Sequence, residues 1–564
     1  MTNYLLSFAV FIPLAMALVI LFIPSEKKGL IRLLANIGSI LQLIASVCVF
    51  CCYEASSGLF NFVERVDWIS LDLGSLGSMS IDYYLGVDGF NVSMVLLTGI
   101  VMAIGTFSSW GISEKTKGYY LLLMLLATSV MGCFLALDFF LFFLFFEFML
   151  LPMYFLIGLW GGPRKEYAAI KFFLYTLLGS VFILLAMVGL YLSVIDPVET
   201  AVNLGLAESK NLVTPQIVEK VQLMLASGEL QMDKLVRTFD IIAMQNSANF
   251  IPGSLLDIAN TDLFMGVSLR MIAFIALLIG FAIKLPAVPV HTWLPDAHVE
   301  APTPISVILA GILLKIGGYG LIRTGYSIFP DMATELAWTV GLIGVVTILY
   351  GSLNALAMKD LKKLIAYSSV SHMGFVLLGL ASLTNEGVSG ALYQMFSHGL
   401  ISSALFLIAG VVYERTHDRM INHYSGLAKK MPYFTSIVII SFFASLGLPG
   451  FSGFIAEILV FLGAFGSSTT NFLLPRWMTV VAALSLVITA AYYLWTLQRM
   501  FFGKFSVKEN SWKDSLKDLN MKEYLVLVPL VALMIVFGLM PNIVFDLTST
   551  TVASFLSHFG PFVK

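Results

Sequence analysis

The sequence predicts an all-α polytopic membrane protein with 14 transmembrane helices, and three observations predict it. Of 564 residues, 59% are hydrophobic and only 12% charged, about half the charged share of a soluble domain. Mean hydropathy is +0.91. Apolar runs of about 20 residues, the length a bilayer demands, recur along the chain. The net charge of -2 offers no basic footprint, so nucleic acid is not an expected partner.

The runs lie near residues 4–23, 30–53, 86–110, 118–137, 139–160, 167–194, 264–285, 303–325, 334–357, 361–382, 387–413, 431–467 (interrupted), 475–502 and 521–540. The first begins at Tyr4 with no basic n-region before it and no small-residue cleavage site after it, and reads as a retained span. Strongly basic loops follow odd-numbered spans: Lys27, Lys28 and Arg32; Lys115 and Lys117; Arg164 and Lys165; Lys359, Lys362 and Lys363; Arg415, Arg419, Lys429 and Lys430; Lys504, Lys508, Lys513 and Lys517. The positive-inside rule puts these loops in the cytoplasm, and both termini on the non-cytoplasmic side. A wrong span count would scramble this parity.

Residues 195–262 break the rhythm. They are polar, hold nine acids and four bases, and alternate apolar and charged residues over 215–241 at roughly helical spacing. An extramembrane cap of short helices is expected there. Without histidine or cysteine, the segment is a poor candidate for catalysis. Two spans are interrupted. Span 7 runs into Pro286, Pro289, Pro295, Pro302 and Pro304, and span 12 contains Gly447, Pro449, Gly450 and Gly453. Proline removes a backbone donor and breaks a helix, so each break must be buried in protein or face water. Paired breaks in two halves of a chain mark the transport site of inverted-repeat carriers. The expected organisation is spans 1–3 over 1–117, a first repeat of spans 4–8 over 118–325 containing the 195–262 insert, a second, inverted five-span repeat of spans 9–13 over 334–502, and a last span and tail over 503–564.

Six ionisable residues interrupt apolar runs: Glu147, Lys284, Lys315, His372, His398 and Glu457. A charge at a helix centre costs about 2.5–3.5 kcal/mol on the insertion scale. One such group can simply tie helices together; six, flanking both breaks, point to a proton path. Burial favours the neutral form of either ion and a nearby opposite charge favours the charged form. Making and breaking a Glu147–Lys284 pair would therefore load and release a proton. Moving one charge through about 150 mV takes about 3.5 kcal/mol, equivalent to a pKa swing of about 2.5 units. Pro286, Pro449 and Gly450 mark the helix breaks. His291 and His298, beside Asp296 and Glu300, are candidate proton-uptake residues or a polar plug; no closed metal-ligand set accompanies them. Cys48, Cys51, Cys52 and Cys133 lack convergent ligands, and phosphate loops, dinucleotide fingerprints and nucleophile–base motifs are missing.

From KLPAVPVHTWLPDAHVEAPTPISVILAGILLKIGGYGLIR through LKKLIAYSSVSHMGF, ALYQMFSHGLISSALFLIAGVVYERT and LPGFSGFIAE, and earlier at YYLGVDGFN and FEFMLLPMYFLIGLWG, the chain resembles the antiporter-like subunits of respiratory complex I. The resemblance covers most of 80–505. It implies 14 spans, two inverted repeats and a central hydrophilic axis. Glu147 matches the family's span-5 glutamate, Lys284 its span-7 lysine, Lys315 its span-8 lysine, His372 and His398 the linking positions of spans 10 and 11, and Glu457 the terminal span-12 residue. Two sister types and the related sodium/proton antiporter subunits usually carry lysine at that last position; the third type carries glutamate. The resemblance implies a proton-translocating subunit of NADH:quinone oxidoreductase in a bacterial inner membrane, without a redox site, cofactor or metal of its own. FMN, iron–sulfur clusters, NADH and quinone would belong to other subunits, and L-type and N-type antiporter-like subunits would be its neighbours. The rivals are a subunit of a multisubunit sodium/proton antiporter or membrane-bound hydrogenase, and a non-transporting structural subunit.

Overall fold

The computed structural model of the chain describes residues 4–55, 60–72, 74, 78–260 and 263–563. Among these, 12 helices are long and apolar enough to cross a membrane. They are Lys28–Cys52, Val92–Gly111, Thr116–Leu135, Phe139–Trp160, Lys165–Ser193, Thr303–Tyr326, Ala337–Ala357, Leu361–Ala381, Asn385–Thr416, Ser452–Thr470, Arg476–Phe501 and Met521–Leu539. Leu5–Leu21 and Pro432–Ser445 are shorter apolar helices. The predicted seventh span is a 16-residue helix, Leu269–Lys284, followed after a break by Trp293–Glu300. Most predicted ends fall within a few residues of the observed ones, because lipid thickness sets both.

Burial sorts the helices into layers. The apolar stretches of Thr303–Tyr326 and Asn385–Thr416 are wholly buried, whereas Lys165–Ser193 and Arg476–Phe501 bury well under half of theirs. Leu174, Leu178 and Leu185 on the first outer helix and Val480, Leu484 and Val487 on the second point outward. An apolar exterior is stable only against lipid tails, and it makes this a membrane protein.

The architecture is not purely helical, which corrects the expected fold class. Strand β1 (Asn61–Asp72) pairs antiparallel with β2 (Ser78–Val87), and β3 (Val236–Thr238) adds parallel to β2 in the order β1-β2-β3. The hairpin lies between the second and third spans, where no apolar run signals it. The third strand comes from the 195–262 segment, which also forms the helices Pro197–Asn203, Pro215–Ala226 and Ile241–Gln245; its last two residues lie outside the described set. Together these elements make a cap on one face of the bundle.

One guanidinium ties the cap together. Arg65 on β1 reaches Asp82 on β2 at 2.7 Å, Asp240 at 3.0 Å and Asp196 at 3.3 Å. Asp196 and Asp240 are each helix N-caps: Oδ1 accepts two backbone N–H groups, at 2.7 and 3.0 Å for Asp196 and 2.8 and 3.2 Å for Asp240. Their Oδ2 atoms are left for Arg65, so two helix starts and one strand pair share a single cation. Burial nevertheless holds both carboxyls above the usual carboxylate range, against the opposing pull of Arg65 and the cap hydrogen bonds.

Candidate functional site

Span Thr303–Tyr326 carries Lys315 and is not a regular α-helix. Leu309–Leu313 and Leu321–Tyr326 are π-helical, with an α-helical stretch, Leu314–Gly320, between them. A π turn fits one extra residue and loosens the backbone ladder locally, and such turns concentrate at functional sites. Here the Lys315 ammonium donates back to the carbonyl of Ala310 inside the first π turn. At the same level Gly399 meets Gly311: a Cβ on Gly399 would lie 2.7 Å from the Gly311 carbonyl oxygen. That close approach of backbones brings the neighbouring residue, His398, to 2.7 Å from Lys315 Nζ through its Nδ1. A charged ammonium only donates, so Nδ1 is then the acceptor and the His398 proton sits on Nε2.

The line continues. The rings of His398 and His372 are 5.3 Å apart between centroids. His372 Nε2 lies 3.5 Å from Glu457 Oε1 and donates to the carbonyl of Ser445 at 3.2 Å. Ser445 ends the helix Pro432–Ser445, so its carbonyl is one of those a helix end leaves unpaired. The break thus supplies a site residue from the backbone. Gly447 (φ +74°) and Gly450 (φ +99°) turn the chain through the break. A Cβ on Gly447 would fall 2.3 Å from Glu457 Oε2; the carboxylate occupies space that only glycine leaves. Buried hydroxyls surround this end: Ser368 Oγ is 3.4 Å from His372 Nδ1, 2.9 Å from the Tyr493 hydroxyl and 3.0 Å from that of Tyr492, and Ser445 Oγ is 2.7 Å from the Tyr493 hydroxyl.

The other predicted pair is arranged differently. Lys284 is the last residue of Leu269–Lys284 and is buried beside Pro286, which is also buried. Its Nζ lies 5.1 Å from the Phe146 ring centroid and 5.6 Å from that of Phe172, and has no hydrogen-bond partner among the described residues. Glu147, half-buried on the adjacent helix, likewise leaves Oε1 without one. The two are within electrostatic reach of each other, yet the expected direct ion pair is not formed, and Lys284 faces aromatic rings in its place.

His291 and His298 are separated. His291 packs edge-on to Tyr350 with centroids 4.9 Å apart, and His298 stacks on Phe406 at 4.3 Å, within electrostatic reach of Lys315 and His398. Both ring nitrogens of His298 lack protein partners among the described residues. Pro449, unlike Pro286, is exposed on the bundle surface. Asp138 caps the helix carrying Glu147 by accepting from Leu141 N at 2.9 Å.

Sequence reasoning missed several polar partners. Lys171 pairs with Asp296 at 2.7 Å beside the first break. Lys362, read as a loop cation, is buried and donates to the Ala301 carbonyl at 2.6 Å. Tyr492 and Tyr493 could have been flagged as adjacent hydroxyls in an apolar run. No pattern in the sequence links Arg323 to Asp88, which pair at 2.6 Å across 235 positions.

A family model described as NADH:quinone oxidoreductase/Mrp antiporter, TM, matches residues 136–213 and 220–485. The match spans every ionisable residue of the buried line. The chain belongs to this family. Among relatives, a protein named NADH-quinone oxidoreductase subunit M from Rhodobacter capsulatus is 37% identical over 560 residues, covering 98% of this chain and 97% of the relative. One named NAD(P)H-quinone oxidoreductase chain 4 2, from Thermosynechococcus vestitus, is 36% identical and covers 96% and 90%. In three dimensions the family fold is matched by a chain of respiratory complex I from Thermus thermophilus with bound NADH, at 26% identity and a TM-score of 0.76 over 99% of this chain and 100% of that one. A chain of the Mrp complex from Dietzia sp. DQ12-45-1b shares the fold at 19% identity, with a TM-score of 0.75 over 100% and 98%.

Proposed function

We propose that this chain is the M-type, or chain 4, antiporter-like subunit of a proton-translocating NADH:quinone oxidoreductase, and that it moves protons along Glu147, Lys284, Lys315, His398, His372 and Glu457. The observation that carries this reading is the continuity of the last four: Lys315 bonded to His398 at 2.7 Å, the His398 and His372 rings 5.3 Å apart between centroids, and His372 at 3.5 Å from Glu457. Groups that can each bind and release a proton, spaced at hydrogen-bond or one-water distances through a buried interior, constitute a relay. Lys284 would load a proton under the influence of Glu147, Lys315 and the histidines would pass it on, and Glu457 would be the last protein group before release. His291 and His298 would serve uptake at the first break.

The finer architecture belongs to the same reading. The 12 long helices, with Leu5–Leu21 and the broken Leu269–Lys284 segment, would make 14 spans. Spans 4–8 (118–325) and 9–13 (334–502) would be two inverted repeats, each holding one break, between an N-terminal unit over 1–117 and the last span and tail over 503–564. The basic loops would face the cytoplasm of a bacterium, both termini the other side of its inner membrane. L-type and N-type subunits would flank the chain. FMN, iron–sulfur clusters, NADH and quinone would be handled by other subunits, and this chain would contribute no redox chemistry.

Glu147→Gln and Lys284→Ala, introduced separately into the assembled complex, test the assignment by the ratio of protons moved to NADH oxidised. Loss of pumping in an intact complex is expected. An unchanged ratio in both would sink the assignment. The family fold also serves the Mrp complex, so native mass spectrometry of the purified assembly decides between the two: flavin- and cluster-bearing subunits support the present reading, and only further small membrane subunits would support the antiporter.

A further inference from the structure

Lys315 is followed on the same span by two buried polar residues. Tyr319 and Arg323 follow it at helical spacing, and eight residues at 1.5 Å each set Arg323 about 12 Å further along the span. Arg323 lies in the second π turn, Leu321–Tyr326. Its Nε donates to the Tyr319 hydroxyl at 3.1 Å and its Nη2 to Asp88 Oδ1 at 2.6 Å. The guanidinium carbon sits 5.3–5.5 Å from the ring centroids of Phe60, Phe90 and Tyr319, and the side chain is 3% exposed. Immediately beyond it a cleft of about 590 Å³ opens, lined by Asp88, Arg323, Asn246, Ser327, Thr551 and His558 among others. Asn246 comes from the 195–262 segment, so the cleft lies on the cap face.

A proton relay needs groups that accept as well as donate. Arginine has five donors, no acceptor and no accessible neutral form. A guanidinium held among three rings therefore cannot take up and release a proton in turn. A fixed positive charge of this kind also repels protons and cations. Asp88 keeps the cation in place without an uncompensated buried charge.

We propose that Arg323, anchored by Asp88, is a proton barrier that seals Lys315 from the cap-face cleft and prevents back-leak along span Thr303–Tyr326. This rests on the reading of Lys315 as a proton carrier. It adds a closed side to the path, which forces protons on Lys315 toward His398.

The test uses the complete complex reconstituted in liposomes, with passive proton flux measured after an imposed pH step without NADH, and NADH-driven pumping measured separately. Arg323→Gln alone would strand Asp88, so the decisive variant is Asp88→Asn with Arg323→Gln. It is expected to raise passive flux at least about fivefold, as loss of an electrostatic barrier would. Arg323→Lys keeps a cation but one that can lose its proton, so it is expected to leak more than wild type and less than the double variant. Adding Lys315→Ala to the leaky double variant is expected to close the leak. A double variant as tight as wild type, with Lys315→Ala still abolishing pumping, overturns the barrier alone. Unchanged pumping in Lys315→Ala overturns the underlying reading, and a leak that persists without Lys315 overturns the route.

Discussion

Arg65 and Lys284 are cations of the same chain that are treated in opposite ways. In the cap, Arg65 is saturated by Asp82, Asp196 and Asp240, each also bonded to backbone or a neighbouring side chain. In the bundle, Lys284 is buried against two phenylalanine rings without a hydrogen-bond partner. A saturated ion is fixed, because every alternative costs several hydrogen bonds. An unsaturated one can change its protonation state when a neighbour shifts. The difference separates a charge that holds the fold from one that the proposed function would leave available for transport. The line from Lys315 to Glu457 lies between these extremes, paired but never saturated.

The largest effect that can break this contrast is at Lys284. Lys284→Ala is expected to lower NADH-driven proton pumping at least about tenfold, the loss typical of removing a positioned acid–base group, while the complex still assembles. Assembly is read by native gels and pumping by a pH-sensitive dye. If the variant lost assembly and retained pumping per complex, Lys284 would be structural and the contrast would collapse.

Arg65 should behave in reverse. Arg65→Met leaves three carboxylates facing each other, and breaking a fully buried pair costs about 3–5 kcal/mol. The Arg65 side chain is 35% exposed and therefore partly screened, so about 1–3 kcal/mol is expected here. The readout is a lower melting temperature or subunit yield with an unaltered ratio of protons to NADH in whatever complex survives. A changed ratio would show that the cap takes part in transport.

A finer test sits at the Glu457 end of the relay. Gly447→Ala places a Cβ where Oε2 of Glu457 now lies, at a φ of +74°, and non-glycine residues pay about 1 kcal/mol or more in that region. The carboxylate must swing away from His372, and pumping is expected to fall about threefold to tenfold, in keeping with an approximately ångström-scale misplacement of a relay group. Gly466→Ala is the control, because nothing lies within 4 Å of its added Cβ. Equal behaviour of the two variants would mean that the close fit at Gly447 does not matter.

The sequence made the bundle legible and the cap largely illegible, for a physical reason. Lipid forces each span to announce itself as an apolar run, and it makes an ion such as Lys315 or Glu457 stand out. The hairpin Asn61–Val87 has no such constraint, and its edge strand carries Val66 and Trp68 among charged residues without a clean alternation. The partners of Arg65 lie 131 and 175 positions away in two of three cases, so no local pattern could reveal them. Within the bundle, the buried ionisable residues stood out in the sequence as interruptions of apolar runs. Their adjacency did not, because it depends on a π turn at Leu309–Leu313 and on the carbonyl that a helix break frees at Ser445. The separation of Glu147 and Lys284 was illegible for a related reason: helix spacing does not tell which ring will stand beside an ammonium.

The smallest effect concerns acid. Asp196 and Asp240 have carboxyls raised above the ordinary aspartate value, by burial first, with repulsion from Asp240 added at Asp196 and from Asp82 at Asp240. A carboxyl with a higher pKa when folded than when unfolded binds more protons in the folded state between the two values. Stability then falls as pH rises through that window and is recovered as pH drops back through it. The cap should therefore tighten on mild acidification toward the ordinary carboxylate range, even though protonation weakens its bonds to Arg65. Hydrogen exchange over 196–204 and 236–245, corrected for the intrinsic pH dependence of exchange, is expected to show greater protection at the lower pH. In Arg65→Met, which loses the one cation opposing the shift, the tightening should be larger still. Loosening of the wild-type cap on the same titration would mean that Arg65 outweighs burial, so that its ion pairs stabilise the charged carboxylates by more than desolvation costs them.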